Sequence, residues 1–524
     1  MRKASIVLTI ISVIYLATSA QAQDSVTGVV YHDSNNNGVL DHGEKGIPGV
    51  MVSNGRDIVL TDHNGEYEIS ATDDSIIFLI KPSGWSTSVD ENNIPKFYNI
   101  ISSEGAGGDV FPGLEPTGHW PESVDFALYK QDESKNLRVV VFGDTQPRTI
   151  EEINYLAHDS VQELIGIDAA FGVTLGDLVF DELNLFDPLN QVVGQIGIPW
   201  RHIIGNHDID FSAENNWDAR GAYHRTYGPS WYAFSWGHAH FVVIDNIQWI
   251  VEGEERYYRT GLGSDQLKFI ENFIANIPDD EPVVFMAHIP WVESTSWRDE
   301  AEKKALFDIM ASHSNTLSLV AHTHRHFHYY IDQDDGWPLE QPHHMISIGT
   351  VCGAWWRGAP DEYGIPHGMM RDGSPTGYSF LDFQGNDWKL TYKAARRPSD
   401  FQMHLYGPSE ITKEELSNGI QFYANIFNAL PDARVEMLVD MVENPIPMNL
   451  TEGVTDPVFE AMREREQALD NINWIGTSSA HPHPRHLYEA TLPEELETGA
   501  YVVRIRSEDS WHTYEGRRII RIID

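Results

Sequence analysis

Among 524 residues there is a single cysteine, Cys352. An intramolecular disulfide is therefore excluded, and so is a zinc knuckle built on thiolates. Basic residues are scarce too: 36 Lys and Arg stand against 78 Asp and Glu, a formal charge of −42. Such a field repels nucleic-acid phosphates and anionic lipid surfaces, so no nucleic-acid partner is expected. After the first 22 residues no apolar run reaches the roughly 18 residues of a membrane-spanning helix, so no integral membrane segment is expected there. No low-complexity tract or internal repeat stands out. With 41% hydrophobic and 22% charged residues the chain has the composition of a folded globular protein, and its length predicts two to four domains.

What is present begins at the N-terminus. Met1-Arg2-Lys3 precede a mostly apolar run to Ala17, and Thr18-Ser-Ala-Gln-Ala22 ends in an A-x-A pattern. This predicts a signal peptide over residues 1–22 and a mature protein exported to the periplasm or beyond. Over residues 24–130 short alternating runs such as Val26–Tyr31, Ile76–Ile80 and Val124–Tyr129 are broken by turn residues, which predicts an N-terminal β-sandwich. A polar linker, Lys130–Asn136, follows. Over residues 136–395 apolar strands alternate with amphipathic helices; Thr149 with Glu152 forms a capping-box pattern and predicts a helix over 149–165. Strand-type runs return over 400–524, which predicts a C-terminal β-rich domain.

In the middle region five apolar runs each end in residues able to hold a cation. Leu137–Gly143 leads into Asp144-Thr145-Gln146, and Ala169–Gly176 into Asp177, with Asp181 shortly after. Trp200–Gly205 leads into Asn206-His207-Asp208, Val283–Ala287 into His288, and Leu317–Ala321 into His322-Thr323-His324. In an open α/β sheet, ligands gather outside the carboxyl ends of the strands, so five such loops predict one shared site. The donor set of carboxylates, amide and imidazoles exceeds what one tetrahedral zinc requires. It suits two cations roughly 3.5 to 4 Å apart, sharing a carboxylate and clamping the attacking and leaving oxygens of a displacement at phosphorus.

In this order the motifs resemble the calcineurin-like metallophosphoesterase family, whose pattern runs D-x-H, G-D, G-N-H-D/E, H and G-H-x-H. The resemblance covers about residues 137–395 and, with the outer regions, is similar to a secreted bacterial three-domain type. It implies an α/β fold: a central metallophosphoesterase β-sandwich flanked by helices, with the N-terminal β-sandwich and C-terminal β-rich domain on either side. It also implies two divalent or trivalent transition ions, Mn, Fe or Zn. Asp144 and His324 would hold the first, Asp177 would bridge, and Asn206, His288 and His322 would hold the second. His207 would be the imidazole that protonates the leaving oxygen, oriented by Asp208 or by Asp181, two alternatives that the sequence leaves open. Gln146 stands where the family has the D-x-H histidine; as a metal ligand it is weaker than imidazole, which predicts a loosely held first metal. Ala321 replaces the usual glycine before His322. His326 and His328 are assigned no role.

Two further features bear on function. The segments containing Trp355, Trp356 and Arg357, and Arg371 and Asp372, are candidate substrate loops, because Arg forks bind phosphate and aromatic faces stack on sugars or bases. Asp33, Asn35, Asn37, Val39 (through its carbonyl), Asp41 and Glu44, with Gly38, fit the spacing of a twelve-residue calcium loop and resemble the calcium-binding B-type repeats of bacterial surface proteins. A structural Ca²⁺ is expected in the N-terminal domain. The function expected is an exported, metal-dependent hydrolase cleaving phosphate mono- or diesters, with no obligate protein partner evident. The alternatives are a calcium-stabilised surface binding module with a degenerate phosphoesterase site, and a phosphoprotein phosphatase.

Overall fold

The computed structural model describes residues 24–119, 121–293, 297, 299–469 and 480–524; the signal-peptide expectation falls on residues 1–22 and lies outside them. Runs rich in Val, Ile and Phe with no polar alternation suit strands covered on both faces, and the middle region is built from them. Asn136–Phe142 pairs in parallel with Phe171–Thr174, which pairs in parallel with Trp200–His202. On its other side it takes the hairpin Gly377–Gln384 and Asp387–Ala394 antiparallel. A second sheet runs in the order Tyr232–Trp236, Ala239–Ile244, Val283–Ala287, Thr316–Val320, His343–Ser347, Phe327–Ile331. Four of its strands, Ala239–Ile244 to His343–Ser347 in that order, are parallel. Register places Phe142 beside Thr174, Thr174 beside His202, and Met286 beside Leu319. The five motif-bearing loops therefore leave from the same end of the two sheets.

The inner faces of the two sheets meet through Val139, Val141, Phe171 and Val173 on one side and Phe234, Phe241 and Phe285 on the other. Ile153, Leu156, Phe186 and Leu189 cover the outer face of the first sheet at Val140, Phe142 and Trp200. Helices Ser264–Ile274 and Glu300–Ala311 cover the second sheet with Phe269, Ile270, Phe273, Leu306, Phe307 and Met310. The result is an α/β sandwich, helix–sheet–sheet–helix. The segment predicted as a helix over 149–165 is α-helical over Ile150–Leu156 and Gln162–Leu164 with a π turn at Ala157–Val161 between them. Thr149 Oγ1 accepts the Glu152 amide at 3.2 Å, but the Glu152 carboxylate accepts the Arg148 amide, so only half of the capping box is made.

The outer regions are β-sandwiches of different independence. The N-terminal sheets are the set around Asp24–His32 and the set Ile58–Leu60, Met51–Ser53, Ser75–Leu79 and Tyr98–Ile101. Their core, including Val30, Val52, Phe78 and Leu128, runs on into that of the central sandwich, with the Phe78 and Phe269 rings 5.6 Å apart. The C-terminal sheets, built around Gln421–Ile426 and around Thr513–Ile523 with Gly499–Glu508, enclose their own core of Ile411, Phe422, Met437, Val503 and Ile520. Among the described residues no helix is long and apolar enough to cross a membrane.

Candidate metal centre

Asp144, Asp177, Asn206 and His288 are essentially fully buried, His324 is nearly so, and His207 and His322 are partly exposed at the rim. Two glycines let the loops close this tightly. A Cβ on Gly205 would sit 2.1 Å from the Asp177 amide nitrogen, and Gly176, at φ 86°, would drive one to 2.6 Å from His288 Nδ1. The remaining backbone is forced: Gln146, Asp177, Asp181, His322, His324 and Trp355 all carry left-handed φ values between 42° and 67°. For L-residues this costs on the order of 1 to 3 kcal/mol each and clusters at working sites. Ala321 is outside that set, so alanine in place of glycine brings no strain.

Hydrogen bonds fix the tautomers. His288 Nδ1 donates to the Leu175 carbonyl at 2.8 Å and His324 Nδ1 to the Gly353 carbonyl, so each ring turns Nε2 inward. His288 Nε2 lies 3.1 Å from Asp177 Oδ2 and 3.2 Å from His322 Nδ1; His324 Nε2 lies 3.3 Å from Asp144 Oδ2. With Nδ1 carrying the only ring proton these are lone pairs facing lone pairs, which either a bound cation or a second ring proton relieves. Asp177, His288 and His322 present ligand atoms all within 4.8 Å of one another. Asp144 Oδ2 and Asn206 Oδ1 are buried with no hydrogen-bond partner, at a cost of about 1 to 3 kcal/mol for each such group unless a cation takes it up. Burial would lower the His288 pKa, but the Asp177 and Asp144 carboxylates outweigh it and hold it up to about 9, so that a proton serves where a metal would. Burial and the His288 charge push His322 down to about 3, leaving it a neutral ligand. The donor set fits divalent metal ions.

Gln146 is not placed as a ligand. The Trp355 indole N–H, which can only donate, reaches Gln146 Oε1 at 2.7 Å and fixes the amide orientation. Gln146 Nε2 then donates to Asp177 Oδ2 at 2.8 Å, so the side chain steadies the Asp177 carboxylate while its oxygen is held by the indole. Of the two candidate orienting carboxylates, Asp181 Oδ1 lies 2.6 Å from His207 Nδ1. Asp208 turns away from that ring and accepts the amides of Gly205 at 2.7 Å, Leu178 at 3.1 Å and Val179 at 3.2 Å, clamping the third loop to the second. His326 and His328 lie outside the centre: both bond Asn428 Oδ1, at 2.9 and 3.0 Å.

Three family models match the chain: the N terminal of calcineurin-like phosphoesterase over residues 34–110, calcineurin-like phosphoesterase over 137–326, and the C terminal of calcineurin-like phosphoesterase over 346–514. The chain belongs to the calcineurin-like phosphoesterase family. It is a metal-dependent phosphoric ester hydrolase. No curated protein matches it. Among solved structures it is similar to vacuolar protein sorting 29 from Cryptosporidium parvum, at 11% identity over 50% of this chain and 98% of that one, TM-score 0.21. It is also similar to an endo-β-1,4-mannanase from Thermotoga petrophila, at 10% identity over 71% of each chain, TM-score 0.16. Superpositions this weak carry no argument.

The candidate substrate residues of the phosphoesterase divide. Trp355 reaches the centre, its ring 4.6 Å from His324, and Arg357 lies over the same ring at 4.3 Å. Trp356 does not: it is buried and donates to Asp159 Oδ2 at 3.0 Å. Asp372 is a joint, not a substrate contact. It is buried, accepts the amides of His326 at 2.7 Å and Ser374 at 2.9 Å, and faces His486 Nε2 of the C-terminal sandwich at 3.2 Å. Arg371 uses its backbone to tie the fifth motif to residue 481, its amide bonding the His324 carbonyl and its carbonyl the His481 amide. Sequence reasoning missed Phe180, stacked on His207 at 4.3 Å, and Arg148, whose guanidinium lies 4.2 Å over Phe180. Their adjacency to Asp181 and to the Asp144 loop was the available signal. In the front loop Asn35 and Asn37 Nδ2 both reach Asp41 Oδ2 at 2.8 Å, Asp33 accepts the Asn36 and Gly38 amides at 2.7 Å, and Glu44 accepts the Ser34 amide at 2.8 Å. The Val39 amide bonds Asn37 Oδ1 at 2.8 Å.

Proposed function

We propose that the phosphoesterase is exported and hydrolyses phosphate esters at a two-metal centre, with Asp177 as the bridge, Asp144 and His324 on one ion and Asn206, His288 and His322 on the other. The observation that carries this reading is the pair of buried, partnerless oxygens of Asp144 and Asn206 flanking the Asp177–His288–His322 cluster. When bound, two ions of Mn, Fe or Zn would act as Lewis acids on the phosphoryl oxygens and lower the pKa of the attacking water. The protein's own part is positional. Leu175 and Gly353 hold the imidazoles, Gln146 and the His207 amide hold the Asp177 carboxylate, and Asp181 holds His207 so that Nε2 points its proton at the leaving oxygen.

Elemental analysis of the purified protein, with turnover of p-nitrophenyl phosphate and bis(p-nitrophenyl) phosphate under added Mn²⁺, Zn²⁺ or Fe, tests this. The expected result is two transition ions per chain and turnover that falls at least about 100-fold in Asp177→Asn, the loss of a group that orders the whole centre. One ion or none, with full turnover in that variant, sinks the reading. Ca²⁺ in the Asp33–Glu44 loop belongs to the same proposal, supported by the spacing of its oxygen-bearing residues and by Asn35 and Asn37 meeting at Asp41; a melting temperature indifferent to Ca²⁺ would remove it. Export is supported by the Met1–Ala22 pattern, and a mature N-terminus at Gln23 in the extracytoplasmic fraction is the expected result.

A further inference from the structure

A row of rings and guanidiniums leads away from the metal cradle. Phe180 stacks on His207 with its ring 4.3 Å away and 22° from parallel. Arg148 lies over Phe180 at 4.2 Å and over Trp355 at 5.2 Å, and Arg357 lies over Trp355 at 4.3 Å. The same Trp355 touches His324 and bonds Gln146, so the row starts at the proton donor and returns to a metal ligand. Two cations sharing one indole repel each other: burial, and next the Arg148 charge, lower the Arg357 pKa. Arg148 makes no close ion pair among the described residues, although acids outnumber bases more than twofold in this chain. The nearby Glu152 carboxylate is turned to the Arg148 backbone amide. Trp355 is itself held at φ 65°, a conformation that a bulky L-residue rarely takes.

We propose that Arg148 and Arg357, shelved on Phe180 and Trp355, form a second anion subsite that binds a phosphate carried by the leaving group. This rests on the two-metal reading above and narrows its substrate class to phosphate esters or anhydrides whose leaving group is itself phosphorylated. The leaving-group side follows from His207: the shelf begins on the ring that protonates the leaving oxygen. The choice of phosphate follows from charge and geometry. The Arg148 fork offers paired N–H donors and Arg357 adds a second positive charge beside it, a pairing that a phosphate dianion satisfies better than a carboxylate does.

The test compares AMP with ADP on the metal-loaded enzyme at fixed free Mn²⁺, since the two differ by one phosphate on the leaving group. KM for ADP is expected to be lower by about tenfold, the worth of a charge-assisted bidentate contact. That advantage should collapse in Arg148→Gln and in Arg357→Gln and return in part in Arg148→Lys, with metal content and melting temperature verifying the fold of each variant. Equal KM values for AMP and ADP in the wild type, or an advantage that survives both Gln variants, overturn the proposal. An advantage for 3-phosphoglycerate over glycerol 3-phosphate that exceeds the ADP advantage overturns the phosphate assignment in favour of a carboxylate. If p-nitrophenyl phosphate, AMP and ADP are all inert with Mn²⁺, Fe or Zn²⁺, the phosphoesterase reading has failed on its own. Calorimetric binding of ADP against AMP then still reads the subsite, and equal affinities would overturn it.

Discussion

At the scale of single residues the decisive contact is that between Trp355 and Gln146. An indole N–H cannot accept, so it holds the amide oxygen and turns Gln146 Nε2 to Asp177; on the two-metal proposal the first ion is then left with Asp144, His324 and the shared Asp177. Gln146→His restores an imidazole at this position, and we expect the weaker of the two Mn²⁺ affinities to tighten by about tenfold in calorimetry, the size of effect typical of groups around a metal. An unchanged affinity would mean that Gln146 is not what weakens the site. The His207–Asp181 contact of 2.6 Å has a separable consequence. Asp181→Asn is expected to lower kcat by about 10- to 100-fold with both metals retained, because the imidazole loses its orienting partner and no ligand is touched. Loss of metal in parallel with kcat would assign Asp181 to the centre's scaffold instead.

At the scale of elements, the loops depend on clamps that carry no chemistry. Asp208 takes three backbone amides from the loops after Thr174 and His202, so its removal orphans three buried donors at about 1 to 3 kcal/mol each. Asp208→Ala is therefore expected to destabilise the protein by at least about 3 kcal/mol, read as a lower urea midpoint. An unmoved midpoint would show that water replaces the carboxylate. The loop 350–376 is held in the same way from two sides. Arg357 and Gly358 amides bond the His367 carbonyl at 3.3 and 2.8 Å, and Glu466 of the helix Pro457–Gln467 accepts the Ala359 amide at 3.2 Å.

For the whole molecule, the three regions are joined by buried polar contacts. Lys81 of the N-terminal sandwich donates to Glu133 at 2.6 Å and to the Ser235 carbonyl of the central sheet at 2.8 Å; burial lowers its pKa to about 8 against the opposing pull of Glu133. Lys81→Met leaves a buried carboxylate without its cation and is expected to cost about 3 to 5 kcal/mol, whereas Lys81→Met with Glu133→Gln, which keeps an oxygen for the Gly84 and Gly237 amides, should recover most of it; a double variant as unstable as the single one would contradict this. On the other side Asn425 donates to the Asp372 carbonyl at 2.8 Å, and Asn428 joins His326 and His328. Deleting residues 400–524 should therefore abolish turnover of p-nitrophenyl phosphate and open loop 350–376 to protease, although that segment supplies no metal ligand. Retained turnover in the deletion would show that the C-terminal sandwich is dispensable to the site.

Much of this was legible in sequence because strand period and motif order are local properties. Five apolar runs ending in Asp144, Asp177, Asn206, His288 and His322 define an α/β sheet with its ligands at one end, since a strand's length and the glycine at its exit are written in consecutive residues. Long-range partners are not written that way. Trp355 lies 209 residues from Gln146, and the carboxylate that bonds His207 is Asp181, 26 residues away, and not the adjacent Asp208, so neither amide orientation nor the carboxylate's role follows from spacing. Asp372 and Trp356 read as substrate groups because arginine, glycine and tryptophan serve binding and packing alike; burial against Asp159 and His486 decides for packing. The sequence by itself determined which atoms gather at the centre. The tertiary structure decided which of them a metal or a substrate can reach, because a hydrogen bond from a distant residue consumes a lone pair that no local pattern records.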